Sequence, residues 1–191
     1  MSFCHSIRNM IRRYWTPLSI AILVLATAWI WISAADTTTA ADETITAPQN
    51  GFLAPDFELE TLEGERVALS NYRGQVVLIN LWASWCPPCR AEMPAMQAAY
   101  TAFRDQGFVI LAVNATHQDS LQDATAFVEE RGLTFPILLD REGEVAQKYR
   151  SHLLPTSFFV DREGIIRHKT IGSMSEALLR TRIQELLEET P

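Results

Sequence analysis

Hydrophobic and polar positions divide the chain into three parts. No charged residue lies between Arg13 and Asp36, and Leu18 to Ala35 is mostly Leu, Ile, Val, Ala and Trp. A helix over residues 18–35 would be about 27 Å long at roughly 1.5 Å per residue, close to the thickness of a bilayer core. Tyr14 and Trp15 stand near one end and Trp29 and Trp31 near the other, where interfacial aromatics belong. Residues 36–50, DTTTAADETITAPQN, show no apolar period and read as a flexible linker. From Gly51 to Pro191 the pattern is that of a folded domain. Phe57–Leu59 and Val67–Leu69 flank a Glu63-Gly64 turn and predict a hairpin. Val76 to Trp82 and Phe108 to Val113 are nearly continuous apolar runs, as expected of strands covered on both faces. Between them, Pro87 to Arg104 is Ala-rich with Met93, Met96, Tyr100 and Phe103 at helical spacing, and Pro94 in its interior predicts a kink. A second helix is expected over Ser120–Arg131, capped by Asp119 and closed by Gly132. Ile137–Leu139 reads as a short strand and Glu144–Tyr149 as a helical turn or two. Ser157–Val160 and Ile165–Ile171 then form a hairpin around Asp161–Gly164, and Ser175–Glu188 is a closing helix. Strands alternating with helices imply parallel crossovers, and the terminal hairpin makes the sheet mixed, an α/β class.

Charge sharpens the division. Residues 1–35 carry Arg8, Arg12 and Arg13 and no acid, whereas residues 36–191 carry a net −10. The arginines precede the apolar run, so residues 1–17 are expected in the cytoplasm and residues 36–191 across the membrane. A cleaved signal peptide ending near Ser33-Ala34-Ala35 is the alternative to a retained anchor over 18–35; the run exceeds an ordinary signal core, which favours the anchor. The acidic domain excludes a nucleic-acid partner. Three cysteines are too few for a disulfide scaffold, and Cys4, ahead of the apolar run, reads as an incidental thiol.

The specific chemistry lies in Trp85-Cys86-Pro87-Pro88-Cys89, between a buried strand and a helix. A three-residue offset at a helix start places both sulfurs on one face with Cα atoms about 5–6 Å apart, within disulfide range. At the cap, Cys86 is exposed to free N–H groups and the helix dipole, which favour its thiolate; Cys89, one turn deeper, is better shielded. Cys86 is therefore assigned the attack on a disulfide and Cys89 the resolution of the mixed disulfide. Pro87 and Pro88 suit the first helical turn and remove N–H donors that would act on the thiolate. A structural disulfide would use the same spacing, but needs no exposed strand–helix junction. A zinc site needs about four ligands, and His117, His152 and His168 are scattered, so no metal and no other cofactor is expected. A peroxidatic cysteine would want Thr where Ala83 stands.

Val77 to Pro94, with Ala54-Pro55-Asp56-Phe57, Leu69 to Gly74 and Leu154 to Asp161, resembles the TlpA/ResA group of thioredoxin-like proteins over nearly the whole domain. The resemblance implies a membrane-anchored, extracytoplasmic thiol–disulfide oxidoreductase. Its fold would be thioredoxin-like: a mixed central sheet flanked by helices, with an extra N-terminal hairpin, after a single transmembrane helix. It makes Pro155 the cis-proline that docks substrate beside the cysteines, against the plain reading of a turn at a strand start. It places Asn80 where cytoplasmic thioredoxin has a buried acid, so proton handling must come from elsewhere. It makes Glu92 the carboxylate that exchanges a proton with Cys89, against the plain reading of a solvent-facing helix residue. Trp85 either flanks the sulfurs or simply packs. Leu153 stands where the group often has Gly, and Thr156 where its cytochrome c assembly branch tends to have Glu. The substrates implied are disulfides of exported proteins, of the cytochrome c or copper-site assembly type. A membrane protein that delivers thiols would re-reduce the pair. A disulfide-introducing oxidase and a copper-binding module using both thiolates are the alternatives.

Overall fold

The computed structural model describes residues 23–29 and 46–189. Residues 23–29 are helical with exposed side chains. The remainder of the expected anchor, the cytoplasmic segment 1–17 and linker residues 36–45 lie outside the described residues. Among those described, no helix is long and apolar enough to cross a membrane.

The apolar runs form the centre of the sheet. β3 (Val76–Trp82) and β4 (Phe108–Asn114) are buried at every position and pair in parallel, Val76 opposite Phe108 through Trp82 opposite Asn114. β5 (Ile137–Leu139) pairs parallel to β4. On the other side of β3, β6 (Thr156–Val160) runs antiparallel and pairs with β7 (Ile166–Ile171). The expected N-terminal hairpin, β1 (Glu58–Thr61) and β2 (Arg66–Ala68), adds antiparallel to β5, completing the order β2-β1-β5-β4-β3-β6-β7.

Alternation along β3 sorts the core into two layers. Val76, Leu78 and Trp82 face α1 (Pro87–Phe103), α2 (Leu121–Arg131) and α4 (Glu176–Glu188), which bury Met93, Met96, Phe127 and Ile183 against them. Val77, Ile79 and Leu81 face the layer of Phe57, Leu69 and α3 (Glu144–Lys148). Each fully buried Leu, Ile, Met or Phe contributes roughly 1.5–3 kcal/mol, so covering both faces is what makes these largely apolar strands stable here. Tyr149 is the keystone of the second layer: its ring packs edge-on against Phe57 and Phe158, and its hydroxyl donates to the Pro55 carbonyl at 2.7 Å.

Two expectations change at the ends of elements. α2 is capped by Ser120, whose Oγ accepts from the Asp123 amide, and not by Asp119. Asp119 instead accepts from the amide and the hydroxyl of Ser84, in the loop after β3. The last linker residues also belong to the domain: Pro48 is buried, the Ala47 amide donates to Leu53 and the Gly51 amide to Ile166. α1 runs as one helix through Pro94 to Phe103.

Candidate active site

β3 ends at Trp82, and the chain passes through Ala83, Ser84 and Trp85 before α1 begins. Cys86 has extended backbone angles, φ −87° and ψ 108°, and serves as the N-cap. Pro87 and Pro88 occupy the first two helical positions, so the Cys89 amide is the first helical N–H within reach of the cap. It donates to Cys86 Sγ at 3.3 Å. The two cysteines form a disulfide with Cα atoms 5.3 Å apart. Cys89 is wholly buried and Cys86 retains 3% exposure, so Cys86 is the outer residue of the pair.

One turn beyond Cys89, Glu92 is 2% exposed, which removes the solvent-facing reading. Residues three apart on a helix are neighbours on one face, so its carboxyl shares the inner face of α1 with Cys89. Oε1 accepts from Asn80 Nδ2 at 2.8 Å, and Oε2 from the Met174 amide at 3.0 Å. Burial raises its pKa from 4.5 to about 7, against the opposing effect of the Met174 and Asn80 donors. A carboxyl held near neutrality can take and return a proton at ambient pH.

Asn80 explains why this acid sits where it does. It lies inside fully buried β3, on the face turned to α1, and its amide donates to both Glu92 and Ser157 Oγ, the latter at 2.9 Å. Its Oδ1 is buried with no partner, as is Trp82 Nε1. A buried acceptor left unpaired costs of order 1–3 kcal/mol, tolerated where the site needs the donor face of the amide.

Register brings the remaining predicted residues to the same end of the sheet. Leu81 lies opposite Thr156, so Pro155 stands beside the exit of β3 from which the cysteine loop departs. The Leu154–Pro155 peptide is cis, and Pro155 is buried. Trp85 is 56% exposed; its Nε1 donates to the Gln118 carbonyl at 3.0 Å, so the ring is anchored beside Cys86 rather than packed in the core. Leu153, two residues before Pro155, is 63% exposed.

The fold adds partners that spacing did not reveal. Met174 acts through its backbone amide, which no side-chain pattern announces. Ser157 and Asn80 each interrupt an apolar strand, and a buried polar residue in such a run needs a partner; that signal was present without naming Glu92 as the recipient. Ser84, Asn114 and Asp119 meet beneath the cysteine loop although they come from three separate segments.

Comparison with known proteins places these features in context. The AhpC/TSA family matches residues 51–169. The chain is 38% identical over 141 residues to a thiol-disulfide oxidoreductase ResA from Geobacillus thermodenitrificans, covering 74% of this chain and 80% of that one. It is 40% identical over 129 residues to the thioredoxin-like protein YneN of Bacillus subtilis, covering 67% and 75%. Among solved structures, StoA from Bacillus subtilis superposes with a TM-score of 0.60 at 34% identity, covering 67% of this chain and 96% of that one.

Proposed function

Because the chain belongs to the AhpC/TSA family and, within it, to the ResA-like thiol–disulfide oxidoreductases of thioredoxin fold, we propose that it reduces disulfides in exported proteins from an anchored position outside the cytoplasm. Dithiol–disulfide exchange is the activity of the chain. The direction, the substrates and the compartment are the proposal. The observation that carries it is the Cys86–Cys89 pair at the start of α1, with a buried, neutral-range carboxyl one turn below.

The exchange balances with these groups alone. In the reduced protein the Cys86 thiolate attacks one sulfur of a substrate disulfide; the substrate S–S bond breaks, and its other sulfur leaves as a thiolate that takes a proton from water. Glu92, ionised, accepts the proton of the Cys89 thiol. The Cys89 thiolate then attacks Cys86 Sγ, closing the Cys86–Cys89 bond and releasing the substrate's second thiolate. Two electrons pass from the pair to the substrate. Restoring the dithiol requires an external dithiol, in this reading a membrane protein that carries thiol equivalents across the bilayer. The apolar run over residues 18–35, preceded by Arg8, Arg12 and Arg13, supports the anchored placement. Exposed Trp85 and cis-Pro155 flank the path a substrate strand would take to Cys86. Apocytochrome c and copper-site assembly proteins are the substrate class in this proposal.

Two measurements test it. Cys89→Ser leaves the attacking thiol without its resolving partner, so mixed disulfides through Cys86 should accumulate with exported disulfide proteins; their absence with every such substrate would overturn the reading. The reduction potential of the pair, titrated against a thiol buffer, decides direction. A value near thioredoxin's, about −270 mV, supports a reductant, whereas one near about −120 mV makes the protein a disulfide donor.

A further inference from the structure

The loop that presents Cys86 is fastened from below by a carboxylate two elements away. Asp119 Oδ2 accepts from the Ser84 amide at 2.6 Å and from Asn114 Nδ2 at 2.7 Å. Its Oδ1 accepts from Ser84 Oγ at 2.6 Å and from the Ser120 amide at 2.9 Å. Four donors thus converge on one side chain, and two of them belong to the residue two before Cys86. Asn114 is fully buried and Ser84 is 6% exposed, so these donors have little water to turn to. Two further bonds tie the same loop down: Arg90 Nη1 donates to the Ser84 carbonyl at 3.2 Å, and Trp85 Nε1 donates to the Gln118 carbonyl. Asp119 does not cap α2, since Ser120 fills that role.

We infer that Asp119 is a positioning residue for the disulfide exchange: by clamping Ser84 it holds Cys86 at the mouth of α1, where the Cys89 amide donates to its sulfur. The geometry is economical for such a task. β3 must end at Trp82 and the chain must turn within three residues to start a helix whose first two amides are absent. An extended cap and a single donor leave the position of the sulfur dependent on the residues before it. Charge-assisted hydrogen bonds of this length are among the strong ones, and removing their acceptor would leave buried donors unpaired. The inference rests on the thiol–disulfide chemistry of the site but not on its direction or substrates.

The test compares Asp119→Ala, Asp119→Asn and Ser84→Ala in the full-length, reduced protein. The readouts are the pH profile of Cys86 alkylation by iodoacetamide and the rate of exchange with a disulfide-bonded peptide, with circular dichroism as the check on folding. Arg90 and Asp119 are the charged groups hydrogen-bonded to the loop, so the Asn variant separates charge from geometry: its single oxygen and amide can keep three of the four bonds. Asp119→Ala should slow exchange about tenfold or more and move the alkylation midpoint upward, because the sulfur loses its alignment on the Cys89 amide. Asp119→Asn should stay within about threefold of the parent, and Ser84→Ala, which loses only the hydroxyl bond, should fall between. If Asp119→Ala is folded with an unchanged profile and rate, the inference fails. If Asn and Ala lower the midpoint equally, the charge acts rather than the clamp, and the inference also fails. Should Asp119→Ala not fold, Ser84→Ala carries the test: a slowed exchange with a raised midpoint sustains the clamp, and an unchanged profile rejects it.

Discussion

At the residue scale, Glu92 shows how position overrides type. A glutamate in the first turns of a helix is ordinarily a solvated residue that favours the positive end of the dipole. Here it is buried between Asn80 and the Met174 amide, and burial outweighs both donors. The sign of the resulting pH effect follows from proton counting. Between about pH 4.5 and 7 the unfolded chain has lost the Glu92 proton while the folded protein still holds it, so stability falls as pH rises through that window and levels off above it. At 1.36 kcal/mol per pH unit the loss approaches about 3 kcal/mol. Urea titrations of the oxidised protein at pH 5 and pH 8 should therefore show a drop that Glu92→Gln lacks; parallel drops in the two proteins would count against a buried, proton-holding Glu92. The same variant should abolish the rise of the resolution step with an apparent midpoint near pH 7, measured as decay of the Cys86 mixed disulfide.

At the scale of elements, the ends of helices decide more than their middles. α1 and α2 both leave parallel strands, but they begin differently. α1 starts on a cysteine cap and two prolines, and its cap is the reactive group. α2 starts on Ser120, whose hydroxyl satisfies an orphan amide, and ends on Gly132 with φ 59°, in the left-handed region where a side chain is strained. Ser120→Ala should lower the stability of the domain by about 1 kcal/mol in chemical denaturation. It should leave the Cys86 alkylation profile in place, since the Ser120 amide that donates to Asp119 survives. A changed profile would mean that the cap and the clamp are one device.

For the molecule as a whole, the two core layers and the sheet lie entirely within residues 54–186. The described part of the domain begins at Thr46, and the segment before β1 is bonded to β7 and the turn preceding it through Gly51, Phe52 and Ala54. A fragment spanning residues 44–191 should fold cooperatively and form the Cys86–Cys89 bond. A fragment starting at 56 should lose several kcal/mol, because Ala54 and the Pro55 acceptor of the Tyr149 hydroxyl go with it. Thermal unfolding of the two fragments checks this; equal midpoints would show that the N-terminal segment is dispensable.

Periodicity alone located the strands, because β3 and β4 are buried on both faces and are therefore apolar at nearly every position. The helix start at Cys86 was equally plain, since proline, cap and spacing are local properties. The resemblance to the TlpA/ResA group pointed to Pro155 and Glu92. What local pattern left open was every choice made between distant segments. Local pattern put Asp119 at the cap of α2; the donors of Ser84 and Asn114, 35 and 5 residues away, hold Asp119 elsewhere, and Ser120 caps the helix instead. Asn80 needed a partner, and only the packing of α1 on β3 supplied Glu92. The Met174 amide reached that carboxyl from the loop before α4, across 82 residues of chain. Hydrophobic period and capping act over a few residues and are written in order along the chain. The environment of a buried proton-holding group is the sum of contacts that exist only once the sheet and its helices have closed around it.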